Sequence, residues 1–343
     1  MEDLLSGRQK SMKIIAIEEH TVSKAIEAAN HDAIASSFPY YSVFNHPVPS
    51  FHISIPDLFE LGERRVKELD MAGIDMEVLS YVNVTQWLKG NEALTLAKNA
   101  NDALAQNVKA FPDRFLGFAT LPWNNPKAAA EELRRTINEY GFVGTLLSGR
   151  PQTANIYADD PMYYPIWEVL TEYDLPVYVH PHFTSPDACK AYYSGLSDEV
   201  NAIFSTMGYG WHMEAGIQVI RMILAGVFEK FPNLKVISGH WGEMVPFYLS
   251  RLDHMMARDV TGLPEDFSTY YKRNVWVTPG GIYDNDDLMF CVNKIGIDHL
   301  LFATDFPYIP LAGAKPFLDN APLSETDKEK FAHINAETLL HLK

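Results

Sequence analysis

Four short apolar runs in this chain each end on a residue type that binds divalent metals. Ile14-Ile15-Ala16-Ile17 runs into Glu18-Glu19-His20, Val177-Tyr178-Val179 into His180, Val236-Ile237-Ser238-Gly239 into His240, and Leu300-Leu301-Phe302-Ala303-Thr304 into Asp305. Apolar runs of this length read as buried strands, and parallel strands bring their C-terminal ends to one side. The chain is thereby restricted to folds in which these imidazoles and carboxylates meet at one mouth, where a barrel enzyme keeps its metal.

Eight such runs alternate with helical patterns. Strands are predicted near Lys13 to Glu18, Ile74 to Ser80, Phe115 to Leu121, Phe142 to Leu147, Leu175 to His180, Leu234 to Gly239, Asn274 to Thr278 and His299 to Thr304. Helical periodicity fills the intervals at 57–71, 91–111, 126–140, 161–173, 215–231, 243–257, 285–295 and 324–342. Asn125-Pro126 opens a helix, Phe111-Pro112 and Phe231-Pro232 close helices, and Gly73, Gly141 and Gly296 stand where helices should end. The expected fold is α/β, a (β/α)8 TIM-type barrel with long loops after strands 1 and 5.

Those loops, 21–56 and 181–211, are rich in Phe, Tyr and His and would form an aromatic lid over the mouth. The 343 residues would also accommodate two average domains, but the eightfold alternation assigns 13–343 to one. Residues 1–12 read as a disordered leader, with Met12 an alternative start.

A net charge of −16 without a long basic run argues against a nucleic-acid partner. An anionic substrate would need a local positive site, which a metal or a few placed arginines would supply. Cys189 and Cys291 form neither a C-x-x-C motif nor a disulfide framework, which fits a reducing cytoplasm. The sequence contains neither a signal-peptide pattern nor an apolar window of about 18 residues, so the protein is expected to act in the cytoplasm, away from membranes.

Glu18 and His20, two positions apart on one strand, project to the same face and can share an ion. His180 and Asp305 complete a nitrogen and oxygen set suited to Zn²⁺ or Mn²⁺, with open positions for substrate or water. Taken singly, each is equally readable as a hydrogen-bonded rim residue; the joint pattern points to metal. His240, between glycines, reads as a ligand or as an acid/base group facing substrate. Glu243 would fix its tautomer or simply cap a helix dipole. Arg251 would reach a substrate carboxylate or pair with Asp253, and Arg64 and Arg65 would do the same or lie on a solvated face. His182, His46, His52 and His212 would contact substrate hydroxyls or make ordinary loop hydrogen bonds.

Together, the stretches 16–20 (AIEEH), 70–80 (DMAGIDMEVLS), 111–115 (FPDRF), 178–181 (YVHP), 238–243 (SGHWGE) and 304–307 (TDFP) resemble the metal-dependent decarboxylase branch of the amidohydrolase superfamily. Within it the chain is similar to the 2,6-dihydroxybenzoate (γ-resorcylate) and 2,3-dihydroxybenzoate decarboxylases, over nearly its whole length from Met12. The resemblance implies a distorted TIM barrel, one divalent ion, and nonoxidative release of CO2 from a hydroxybenzoate. By motif, Glu18, His20, His180 and Asp305 would hold the ion. Asp305, His240 and Glu243 would be catalytic, with Asp305 protonating the ring carbon, and Arg251, Arg65 and His182 would bind substrate.

The family also forms homodimers or homotetramers, in some of which an arginine near Arg65 reaches a neighbour's site. His182 and Phe302-Ala303-Thr304 depart from the commoner pattern and point to an altered substrate. A lactone, ester or amide hydrolase on the same scaffold is the rival reading, because the same groups would activate water.

Overall fold

The structure, a computed structural model, describes residues 12–44, 55–88, 90–152 and 155–342. The expected leader up to Ser11, and the loop histidines His46 and His52, lie outside these residues.

In chain order the elements that frame the site are β1 (Ile15–Thr21), α1 (Lys24–Ser37), α2 (Glu63–Ala72), β2 (Met76–Tyr81), α3 (Glu92–Ala110), β3 (Phe115–Gly117), α4 (Pro126–Tyr140), β4 (Thr145–Ser148), α5 (Tyr164–Tyr173), β5 (Pro176–His180), α6 (Asp198–Ser205), α7 (Gly210–Leu224), β6 (Lys235–Ser238), α8 (Val245–Met255), β7 (Val275–Val277) and α9 (Asn285–Ile295). All paired strands are parallel, in the orders β1-β2-β3 and β4-β5-β6-β7.

Two seams join these sheets into one barrel. Between β3 and β4, Val143 N–H donates to the Gly117 carbonyl (3.0 Å) and Ala119 N–H to that of Gly144 (2.9 Å). The eighth strand, expected at 299–304, is an extended segment with one bond to each neighbour. Leu301 N–H donates to Val277 (2.9 Å), and Ile17 N–H donates to Phe302 (3.1 Å). The segment turns away at Asp305, whose φ of 59° breaks the extended backbone, so it never becomes a full ladder strand.

Side chains alternate between two cores. Ile15, Ile17, Val78, Phe118, Leu146, Tyr178, Ile237 and Leu301, from around the whole ring, form one cluster and fill the barrel. Their strand neighbours, such as Ala16, Leu79, Leu147, Val177, Val236 and Leu300, pack outward under the helices.

β1 breaks this alternation. Ala16 pairs with Glu77 but Glu19 pairs with Leu79, so β1 uses three steps where β2 uses two. With Ile15 and Ile17 facing inward, strict alternation would turn Glu18 and His20 outward. The bulge reverses the faces beyond Ile17, so Glu18 and His20 look into the barrel mouth and Glu19 looks out toward the helix layer.

Both long connections carry helices in their described parts. The first contains α1, capped by Ser23; the second contains Pro186–Tyr192 and α6, capped by Ser185 and Ser197. Each helix starts at a serine whose oxygen accepts a backbone N–H, a signal present in the sequence. The connections also meet: the rings of Phe38 and Phe183 stack at 4.4 Å.

Candidate metal centre

Glu18, His20, His180 and Asp305 converge at the mouth, each offering a ligand atom within 4.8 Å of the others. Three of these atoms, Glu18 Oε1, His20 Nε2 and Asp305 Oδ1, are buried and have no hydrogen-bond partner. His20 Nε2 and Asp305 Oδ1 lie 3.1 Å apart yet are not aligned to bond each other. Buried polar atoms are rarely left unpaired, and a set of them converging with N2O2 chemistry fits a divalent ion.

The remaining atoms of these ligands are held from behind. His20 Nδ1 contacts Ser80 Oγ (3.1 Å), which leaves Nε2 to face the centre. Thr278 Oγ1 donates to Glu18 Oε2 (2.7 Å) and also contacts the Tyr178 hydroxyl (3.1 Å), so Oε1 is the free oxygen. These contacts fix tautomer and rotamer as supporting groups around metal sites do. Gly239 makes room for them: a Cβ there would lie 2.8 Å from Glu18 Oε1 and 2.7 Å from the Tyr178 oxygen.

Electrostatics separates the ligands. Burial, reinforced by the charge of His20, pushes His180 well below an ordinary imidazole, so it stands neutral with a lone pair to give. Burial also raises Glu18. Burial would raise Asp305 too, but the imidazoles of His20 and His240 beside it outweigh burial and hold that carboxylate below its usual range.

His240 stands beside these four. Its Nε2 is 3.7 Å from Glu18 Oε1 and 3.8 Å from Asp305 Oδ2, while Nδ1 is 2.8 Å from Glu243 Oε1. The other Glu243 oxygen, Oε2, meets His212 Nδ1 at 2.9 Å. One buried carboxylate therefore serves two imidazoles. Burial opposes protonation of His240, but the charges of Glu18 and Glu243 prevail and hold it well above an ordinary histidine.

Glu243 is not a first-turn helix carboxylate. It lies in a left-handed turn with φ 52°, before α8 begins at Val245. His240 (φ 46°) shares that turn, packed against Gly280, where a Cβ would be 2.6 Å from the imidazole.

Other expected residues fall elsewhere. Arg65 is fully buried; its Nε donates to Glu77 Oε2 (2.7 Å) and an Nη to the His20 carbonyl (2.9 Å), with Phe306 against the guanidinium (4.8 Å). It cannot contact substrate or a neighbouring subunit, because its donors are committed behind β1. Arg64 pairs with Glu68 and Asp57 on the exposed face of α2. Arg251 is exposed on α8, and Asp253 instead accepts from Ser268 N–H. His182 packs edge-on to Trp87 (5.9 Å) and against Gly149, and burial lowers it to about 3.

Of the residues missed in the sequence, Ser80 and Thr278 end predicted strands 2 and 7, and Tyr308 follows predicted strand 8. Position at a strand end was the available signal for the first two. Tyr308 lies three residues beyond Asp305, with its ring 5.7 Å from that of His20.

The family model described as amidohydrolase matches residues 52–342. A γ-resorcylate decarboxylase of Polaromonas sp. is 33% identical over 295 residues, covering 83% of this chain and 89% of that protein. A crystal structure of a dihydroxybenzoic acid decarboxylase from Polaromonas sp., with bound manganese and 2-nitroresorcinol, superposes with a TM-score of 0.84 at 30% identity, covering 96% of this chain and 97% of the other. A manganese-containing 5-carboxyvanillate decarboxylase from Novosphingobium aromaticivorans superposes with a TM-score of 0.87 at 30% identity, covering 98% of each chain.

Proposed function

The chain belongs to the amidohydrolase family, and on that premise we propose that it is a metal-dependent, nonoxidative decarboxylase of a hydroxybenzoate. The observation that carries this reading is the placement of Asp305 between His20 and His240, on the rim of a four-ligand centre. Glu18, His20, His180 and Asp305 would hold one Zn²⁺ or Mn²⁺. When bound, the ion supplies Lewis-acid stabilisation of negative charge without redox change.

The chain's own groups then handle one proton. Loss of CO2 directly from an aryl acid leaves a poor carbanion, so the carbon bearing the carboxylate has to be protonated first. Asp305 is ionised in the free site, held so by His20 and His240. It takes the proton of the substrate's ortho hydroxyl and passes it to the ring carbon. The C–C bond then breaks, its electron pair restores aromaticity, and CO2 leaves. His240, steadied by Glu243, faces the same space and balances the charge on Asp305.

Incubation of the metal-loaded protein with a panel that includes 2,6- and 2,3-dihydroxybenzoate should release CO2 and the corresponding phenol. Turnover of lactones or amides with none of any benzoate would overturn this reading in favour of a hydrolase.

Arg251 is the remaining candidate for the substrate carboxylate, and Arg251→Gln should then raise KM more than it lowers kcat. It stands between exposed Phe247 and Met255 on α8, a stripe that favours a homo-oligomer; light scattering tests this. Among the described residues, no helix is long and apolar enough to cross a membrane.

A further inference from the structure

Glu19 lies between two proposed ligands in sequence but on the opposite face of β1. It is fully buried, and among the described residues all its side-chain hydrogen bonds go to one short segment. Oε1 accepts from Thr304 N–H (2.8 Å), while Oε2 accepts from Thr304 Oγ1 (2.5 Å) and Phe306 N–H (3.2 Å). The carboxyl thus grips the residue before Asp305 and the residue after it. His20 N–H adds a bond to the Phe306 carbonyl (2.8 Å), so β1 and this segment are fastened on both sides of Asp305.

The grip is placed where the backbone resists its conformation. Asp305 has φ 59°, in a region that residues other than glycine populate sparsely, and such conformers persist only when their surroundings over-determine them. The neighbouring ion pair does not account for Glu19, because Arg65 spends its hydrogen bonds on Glu77 and the His20 carbonyl. A fully buried carboxyl that spends its side-chain hydrogen bonds on Thr304 and Phe306 points to a demand from those bonding partners.

We propose that Glu19 is a positioning residue that holds Asp305 in its left-handed conformation, so that the carboxylate of Asp305 aligns with Glu18 and His20 as a metal ligand. The proposal rests on the four-ligand reading of the centre and is independent of which substrate is turned over.

A double-mutant cycle tests it, with Mn²⁺ affinity of the full chain, by titration calorimetry or electron paramagnetic resonance, as the readout. Glu19→Gln should weaken Mn²⁺ binding by about 10- to 100-fold, the loss typical when a group supporting a metal ligand is removed. In an Asp305→Ala background the same change should cost less than about twofold, because the residue through which it acts is gone. Equal losses in both backgrounds would show Glu19 to be merely structural and overturn the positioning role. Unchanged affinity in Asp305→Ala alone would overturn the ligand assignment and the proposal with it. If Glu19→Gln does not fold, Thr304→Val removes the hydroxyl contact and enters the same cycle.

Discussion

Nδ1 of His240 lies 2.8 Å from Oε1 of Glu243, so only Nε2 of that imidazole faces the metal centre. Replacing Glu243 by Gln removes both the orienting acceptor and a negative charge. We expect kcat to fall about 10- to 100-fold with metal content unchanged. Loss of that charge lowers the His240 pKa, so the limb of the pH–rate profile due to His240 should shift to lower pH. His212→Gln, which loses the contact to the far oxygen of Glu243 and an edge-on contact to the His240 ring (4.3 Å) but leaves the Glu243 bond to His240 Nδ1, should cost less.

Asp305→Asn cannot carry the transferred proton. It should lower kcat by at least about a hundredfold, in the range expected for removal of a general acid. Substrate should still bind, as measured by displacement of a fluorescent or nitrophenolic ligand. Turnover near the parent rate in this variant would remove Asp305 from the proton-transfer role.

Gly280→Ala places a methyl group 2.6 Å from the His240 ring at a backbone φ of 53°. The imidazole would have to move, so activity should drop while far-ultraviolet circular dichroism stays that of the parent.

His182 is held to about 3 by burial, below the value of about 6.5 for an exposed imidazole. The unfolded chain therefore binds the extra proton between these values and the folded chain does not. This contribution to stability is complete above pH ~6.5 and is lost as pH falls toward ~3. The metal-free protein should melt progressively lower over that window. In His182→Gln the slope of melting temperature against pH should be shallower.

Chelation should abolish turnover and lower the melting temperature, and added Mn²⁺ should restore both. At a free ion concentration near 100 times Kd the bound form gains about 2.7 kcal/mol. A protein whose melting temperature ignores both chelator and ion would have no structural dependence on the centre.

Much of this architecture was legible in the sequence, because buried parallel strands announce themselves as short apolar runs whose ends share one mouth. That Glu18, His20, His180 and Asp305 lie at one end of the barrel followed from that rule. The bulge in β1 did not, since a one-residue register change leaves composition and spacing untouched and appears only when β1 is paired with β2. Arg65 was misread for a related reason: on α2 it looked like a surface cation, but its partner Glu77 sits on the outward face of β2, a pairing between distant segments. His212 gave no local sign of its link to Glu243, 31 positions away. The serines Ser23, Ser185 and Ser197 are the local sequence signal for the helices within the long connections.

Glu18 sits on the first strand and Asp305 just past the last, and Ile17 N–H bonding the Phe302 carbonyl is the seam that brings them together. During synthesis the two ends of the ring are separated by almost the entire polypeptide, so the proposed four-ligand centre would be assembled only after the eighth segment has docked. An ion that needed Asp305 for tight binding would then discriminate between finished and unfinished chains. Metal uptake would become a record that the ring has closed, and a chain stalled before that moment would not compete for the ion on equal terms.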